Sequence, residues 1–288
     1  MRLATVLYAF GGFLAAEALN IHVLAFDRPA SLQRCLESLR RFIGEQCAQG
    51  HNLVISIDGP HSVSKATHDV AKQFKWECGR KEVIWREENA GVLGQWLSIE
   101  PGDEPILVVE DDSELATKGF TTIEPLIKKF SSSPYIFGIS LTRLQWQLGR
   151  NEKGGWRRLD LVDESFPSVV TFPAISTWAQ ILFPKHWDNF LGFLSNLVDE
   201  PIDGSIYEKW FTESPRGVWS RHFQAFVHSR HLTNLYLNLP DRQSLGVSHR
   251  EAGSNTRWAK GPDAVLAFDV KGINISEIEP VHYNHCMD

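Results

Sequence analysis

The chain has 288 residues, 43% hydrophobic and 22% charged, an ordinary globular composition with ample length for a sizeable core. Its formal net charge is -6 and its pI about 6.0, so no global basic field favours nucleic acid as a partner. Four cysteines, Cys35, Cys47, Cys78 and Cys286, show neither a Cys-x-x-Cys pair nor zinc-ligand spacing.

The N-terminus, MRLATVLYAFGGFLAAEA, sets one Arg before an apolar run that ends in small residues. This predicts a secretory signal peptide or short signal-anchor over residues 1–18, although the run is short for a spanning helix. In an oxidising lumen the cysteines would form one or two disulfides, whose pairing the spacing leaves open. Asn274-Ile275-Ser276 is a glycosylation sequon, a tripeptide common by chance.

Next comes NIHVLAFDRP, a buried strand stopped by Asp27-Arg28-Pro29. Leu32, Cys35, Leu36, Leu39 and Phe42 then fall at helical spacing, with Ser31 as the expected N-cap. NLVISIDGP reads as strand, SKATHDVAKQF as helix and KEVIWRE as a third strand. ENAGVLGQWLSIE reads as a glycine-containing loop opening a helix. PILVVEDD is a fourth strand, running straight into Glu110-Asp111-Asp112.

This alternation predicts parallel strands with helical crossovers, an α/β fold with a mostly parallel central sheet flanked by helices. In such sheets ligands bind beyond the carboxyl ends of the strands, and all four ends here are polar or acidic. No Gly-x-Gly-x-x-Gly follows the first strand and no P-loop occurs, which disfavours dehydrogenases and P-loop NTPases. Three adjacent carboxylates repel and raise one another's pKa. They need a compensating cation, unless they form a solvated turn. A divalent ion held there would neutralise a diphosphate without a glycine cradle.

Beyond residue 120 the alternation degrades. IEPLIKKF reads as helix, YIFGISL as strand, and the polar segment through Trp146 and Trp156 as a loop or hairpin. SVVTFPAISTWAQILFP is apolar and broken by Pro173. KHWDNFLGFLSNL and DGSIYEKWFTES read as helices and HLTNLYLNLP as extended. We expect one unit over 19–288, with a nucleotide-binding half (19–120) and a less regular acceptor half (121–288).

Four stretches, in order, HVLAFDRPASLQRCLESL, VISIDG, ILVVEDDSELA and LGVSHRE, resemble GT-A-fold (Rossmann-like) glycosyltransferases. The nearest likeness is to the N-acetylglucosaminyltransferase I and protein O-mannose N-acetylglucosaminyltransferase group (glycosyltransferase family 13), with a general likeness to family 2. That group writes its Asp-x-Asp metal motif as Glu-Asp-Asp after an apolar strand.

The resemblance implies inverting transfer of N-acetylglucosamine or a similar sugar from a UDP-sugar to a hydroxyl of a glycan or glycoprotein, with Mn2+ or Mg2+. It also implies work in the Golgi lumen, with membrane contact only through an uncleaved N-terminal segment. Asp112 would be the direct metal ligand, with Glu110 and Asp111 on ribose hydroxyls or waters. Arg28 would lie near the diphosphate or base, and Asp58 would accept from the uracil or ribose. Asn89 and Gly91 would let backbone approach the nucleotide. His249 would complete the metal shell or touch phosphate, and Arg250 would pair with phosphate. The catalytic base would be Asp203 or Glu208, acidic residues shortly before Trp210.

Several of these residues also have plain structural roles. Asp58-Gly59 is a common turn pair, Asp203 a natural N-cap, Gly91 a loop glycine and His249 a loop histidine bonded to backbone. Trp146, Trp156 and Trp178 would line an acceptor site or sit in the core. His282, His285 and Cys286 are too few for zinc and read as a tail. Two other functions fit the same sheet: a sugar-phosphate nucleotidyltransferase, and a non-catalytic sugar- or nucleotide-binding protein on a decayed transferase fold. The first usually carries a Gly-rich basic loop where this chain has FDRPAS.

Overall fold

The computed structural model describes residues 18–144, 146–148, 156–158, 168–195, 219–252, 261–262, 264–267 and 281–282. The first half alternates as the sequence predicts: β1 (Asn20–Ala25), α1 (Pro29–Ile43), β2 (Asn52–Ile57), α2 (His61–Gln73), β3 (Lys81–Trp85), α3 (Gly91–Leu97) and β4 (Ile106–Glu110). Then follow β5 (Ser113–Leu115), α4 (Gly119–Phe130), β6 (Ile136–Ser140) and a small antiparallel hairpin of β7 (Trp146–Leu148) and β8 (Trp156–Arg158). The remaining elements are β9 (Val169–Phe172), β10 (Ala179–Leu182), α5 (Pro184–Ser195), α6 (Trp219–Ser229), β11 (Thr233–Leu237), β12 (Gln243–Ser244), β13 (Gly246–Ser248), β14 (Val265–Leu266) and β15 (Val281–His282).

Nine strands form one sheet in the order β15-β9-β11-β6-β10-β4-β1-β2-β3. β1, β2, β3 and β4 are mutually parallel where they pair, so their carboxyl ends share one rim. β10 runs antiparallel between β4 and β6, which brings its first residues to that rim. Pro173 separates β9 from β10, as the broken apolar stretch anticipated.

Side chains alternate across the sheet. Val23, Leu107 and Val109 face the core under α1 and α4, with Leu36, Phe42, Phe120 and Ile123. Leu24, Ile106 and Val108 face an aromatic core built by Trp96 of α3, Trp187 and Phe190 of α5, and Trp219 and Phe223 of α6. Trp96 stacks on Trp219 with ring centroids 3.9 Å apart.

Helix α1 corrects one expectation. It begins at Pro29, with Arg28 at the N-cap and no side-chain cap. Proline suits a first helical position because its missing N–H has no partner to lose there. Ser31 therefore lies inside the first turn, where its hydroxyl donates to Glu251. The cysteine pairing is Cys47–Cys78, tying the turn after α1 to the residue before Gly79. Gly79 has φ +156, and a Cβ there would lie 2.3 Å from the His51 carbonyl oxygen, so no side chain fits this approach. Cys35 is buried and unpaired; Cys286, His285 and the sequon lie outside the described residues, as do residues 1–17. Among the described residues no helix is long and apolar enough to cross a membrane.

Candidate active site

The apolar strand β4 ends in three carboxylates that do not share one environment. Glu110 follows the parity of Ile106 and Val108 and turns to the aromatic face. Burial pushes its pKa up to about 8, Asp112 and Asp111 add to the rise, and Arg28 and the Trp96 N–H pull the other way. Asp111 is buried under the end of β1. Its main-chain N–H donates to Leu24 O at 2.9 Å, and its Oδ2 accepts from the Phe26 N–H at 3.4 Å. Burial lifts its pKa to about 6, chiefly opposed by Arg28.

The compensating cation is Arg28, from the loop that closes β1. Its Nη2 donates to Asp111 Oδ1, and its Nη1 lies 3.6 Å from Asp112 Oδ2. Burial opposes the guanidinium's charge, yet Asp111 and Asp112 outweigh it and raise the pKa. One cation thus faces three carboxylates.

Asp112 is 6% exposed. Ser248 Oγ donates to its Oδ2 at 3.3 Å. Its Oδ1 is buried and has no hydrogen-bond partner among the described residues. A buried carboxylate oxygen without a partner is costly, and native structures meet such an atom with a protein donor, an ordered water or a cation.

At the neighbouring strand end, Asp58 is buried and spent on main chain. Its Oδ1 accepts from the N–H groups of Gly59 at 3.0 Å and Ala90 at 2.8 Å. Its Oδ2 accepts from Gly91 at 2.9 Å. Asp58 thereby clamps the loop between β3 and α3 onto the rim. Gly59 permits the contact, since a Cβ there would lie 2.5 Å from the Glu88 main chain. Asn89 is exposed and its amide donates to Gly59 O at 3.2 Å.

The late landmark reaches the same place through a short two-stranded sheet. β13 pairs antiparallel with β5, with Ser248 opposite Ser113, and the His249 N–H donates to Asp112 O at 2.9 Å. His249 Nε2 bonds Glu114 Oε2 at 2.9 Å. Arg250 Nε donates to Gly261 O at 3.0 Å. Both side chains expected to face metal or phosphate, His249 and Arg250, are therefore engaged with the protein itself.

The structure thus gathers Arg28, Glu110, Asp111, Asp112 and the main chain of His249 at one point, with Asp58 and Asn89 at the adjoining strand end. Trp178 is half-buried beside them, its carbonyl accepting from the Glu110 N–H and the Ser113 hydroxyl, both at 3.0 Å. Asp203 and Glu208, and the side chains of Trp146, Trp156 and His282, lie outside the described residues. Sequence reasoning missed Ser248, Glu114 and Glu251. Their only signal was membership of the SELA and GVSHRE stretches.

The donor set suits a hard divalent cation. Asp112 Oδ1 is an unpartnered carboxylate oxygen, and Mg2+-like ions bind through one or two carboxylates plus phosphate oxygens and water. No group of three His, Cys, Asp or Glu side chains is assembled as a ready-made cage among the described residues.

No protein-family model matches the sequence, and no curated protein does either. Solved structures give loose matches. Residues 1–349 of TarS from S. aureus align at TM-score 0.46 and 13% identity, over 78% of this chain and 58% of that one. The mannosyltransferase PcManGT from Pyrobaculum calidifontis, solved with GDP-Man and Mn2+, aligns at TM-score 0.46 and 9% identity, over 78% and 55%. Mouse xyloside xylosyltransferase 1 aligns at TM-score 0.46 and 12% identity, over 78% and 87%. The chain spans little more than half the length of the first two. Alignments this loose carry no weight for function, and the chemistry rests on the geometry above.

Proposed function

We propose that this chain is an inverting, metal-dependent glycosyltransferase that moves N-acetylglucosamine or a similar sugar from a UDP-sugar to a hydroxyl of a glycan or glycoprotein. The observation that carries this reading is Asp112 Oδ1, a buried and unpartnered carboxylate oxygen at the carboxyl-end rim of the sheet, where α/β folds bind ligands. Mn2+ or Mg2+ bound there supplies Lewis-acid stabilisation of a diphosphate leaving group. Asp112 holds the ion, and Arg28 balances the acids and presents positive charge toward the donor phosphates. Asp58 fixes the loop of Asn89 and Gly91 along the nucleoside; Asp111, buried on Arg28 and the Phe26 N–H, and Glu110, turned toward Trp96, support the rim from below instead of meeting ribose hydroxyls. His249 and Arg250 line the rim as further metal and phosphate contacts once released from Glu114 and Gly261. Asp203, or Glu208, removes the acceptor proton for in-line attack.

The short link between β1 and α1, with Pro29 already helical, speaks against a nucleotidyltransferase, whose Gly-rich loop needs that place. The Cys47–Cys78 disulfide fits an oxidising compartment, in line with a Golgi-lumen enzyme behind an N-terminal signal or anchor.

The test is a panel of UDP- and GDP-sugars with and without Mn2+, read by thermal stabilisation and by release of nucleoside diphosphate. A donor at 100 times its Kd stabilises by about 2.7 kcal/mol. Asp112→Asn should abolish the Mn2+-dependent part, while Asp203→Asn or Glu208→Gln should keep donor binding and lose transfer. No metal-dependent donor binding would end the proposal. Binding without transfer or hydrolysis on any acceptor would favour the non-catalytic reading.

A further inference from the structure

We infer that Ser248 is a positioning residue that fixes the plane of the Asp112 carboxylate, so that one oxygen stays free for a divalent cation; the inference rests on the metal site proposed above. Ser248 ends β13 and is fully buried. Its hydroxyl has one proton and two lone pairs. The Arg250 main-chain N–H donates to that oxygen at 3.0 Å. Asp112 Oδ2 lies 3.3 Å away on the other side. With an amide pointing in, the single proton goes to Asp112.

Asp112 thus has its side-chain hydrogen bond and its cation contact on the same oxygen. Ser248 Oγ reaches Oδ2, and Arg28 Nη1 approaches Oδ2 at 3.6 Å. Oδ1 receives nothing among the described residues and stays buried. An aspartate carboxylate turns through a broad two-fold torsion, and the Ser248 hydrogen bond narrows that torsion to one orientation. Without the Ser248 hydroxyl, the carboxylate could turn part-way about this torsion so that both oxygens share the guanidinium and neither keeps a fixed direction toward an ion.

The serine is itself held on both sides. Before it, β13 pairs with β5 and the Gly246 N–H donates to Leu141 O at 2.7 Å. After it, Arg250 adopts φ +45, a left-handed turn that brings its N–H back to Ser248. Glu251 then accepts from Ser31 Oγ and from Arg34, clamping the turn to the first turns of α1. Helix α1, the tip of β4 and the tail of β13 thus form one frame around Asp112.

A carboxylate pinned by one oxygen binds through the other alone. Mg2+-like octahedral ions use this mode readily, whereas Ca2+ tolerates two-oxygen carboxylates and irregular shells. Ser248 accordingly favours Mn2+ and Mg2+ over Ca2+. Removing partners that orient a ligand lowers metal affinity about 10- to 100-fold.

The experiment compares the wild-type chain, Ser248→Ala and Ser248→Thr, each with UDP. Free Mn2+ is counted by electron paramagnetic resonance, Ca2+ is added as competitor, and thermal unfolding in chelator reports the fold. Ser248→Ala is expected to bind Mn2+ at least tenfold more weakly, to bind Ca2+ almost unchanged, and to stay folded with a lowered Tm, since the Arg250 N–H and Asp112 each lose a partner. A residue that merely supported the fold would not alter the Mn2+-to-Ca2+ ratio. Ser248→Thr keeps the hydroxyl and should restore Mn2+ binding to within about threefold, well short of the roughly 10- to 100-fold loss expected when an orienting group is removed. An alanine variant with wild-type Mn2+ affinity and selectivity overturns the role of Ser248 and leaves the metal site standing. If Ser248→Ala does not fold, a folded Ser248→Thr that binds Mn2+ tenfold more weakly overturns it instead. Absence of Mn2+ binding by the wild type removes both this inference and the proposed function.

Discussion

Arg28→Met removes the guanidinium while keeping most of the stem, and its effect follows from the charges that remain. Asp111 is almost fully buried and loses its charge-assisted bond, and Asp112 loses a cation at 3.6 Å. At an effective dielectric of about 20, that second contact alone is worth about 4–5 kcal/mol before desolvation. Arg28 is one quarter exposed, so solvent already screens part of it. Breaking a buried pair costs about 3–5 kcal/mol, and with that screening we expect a loss of roughly 2–4 kcal/mol at pH 7.5. The sign with pH is fixed. Asp111 titrates near 6 with Arg28 in place, and without it the value rises further. Arg28 therefore stabilises the ionised carboxylate above that range, and its benefit fades as pH falls through it. At pH 5 the loss should shrink by half or more. Urea unfolding in chelator, followed by fluorescence of the ten tryptophans, measures both values. A loss under about 0.5 kcal/mol at pH 7.5, or an equal loss at both pH values, refutes Arg28 as the balancing charge.

Asp58→Ala leaves three main-chain N–H groups without their acceptor; it should cost about 2–3 kcal/mol and speed hydrogen exchange at Ala90 and Gly91. Cys47→Ser with Cys78→Ser opens a loop closed over 31 residues and should cost roughly 3–4 kcal/mol on the loop-entropy scale, seen as a lower Tm. Glu110 holds its proton up to about pH 8 when folded, against 4.5 as its ordinary value. The folded state thus binds the extra proton, and stability in chelator should fall as pH rises from 6 to 9. Glu110→Gln should flatten that slope, and an unchanged slope would place the titration elsewhere.

The alternating first half was legible because its signals are local. Short apolar runs, each stopped by Asp-Arg-Pro, Asp-Gly-Pro or Glu-Asp-Asp, specify strands and their ends without reference to partners. What stayed hidden was pairing across long separations. Arg28 and Asp111 are 83 residues apart, His249 and Glu114 are 135 apart, and Ser248 and Asp112 are 136 apart. The first pair needs only that parallel strand ends converge, so the rim argument came close to it. The other two need the register of β13 on β5, which no turn or period encodes. The insertion of β10 between β4 and β6 is hidden for the same reason: an apolar run shows that a strand is buried, not beside which neighbour. Ser31 was misread because Pro29 already meets the demands of a helix start.

Strand parity also explains how three consecutive acids survive at the end of a buried strand. Adjacent residues point to opposite faces, so Glu110 goes to the aromatic side while Asp111 turns under β1 toward α1. Each acid then finds its own settlement. Glu110 keeps its proton beside Trp96, Asp111 takes Arg28 and the Phe26 N–H, and Asp112 receives Ser248 on one oxygen only. Two of the three are balanced within the chain. The imbalance is confined to Asp112 Oδ1, so a divalent ion added there would meet one unmet acceptor and not a cage. Under the proposed function such a site would hold a metal weakly alone and tightly once phosphate oxygens complete the shell, which would couple ion binding to the arrival of a diphosphate.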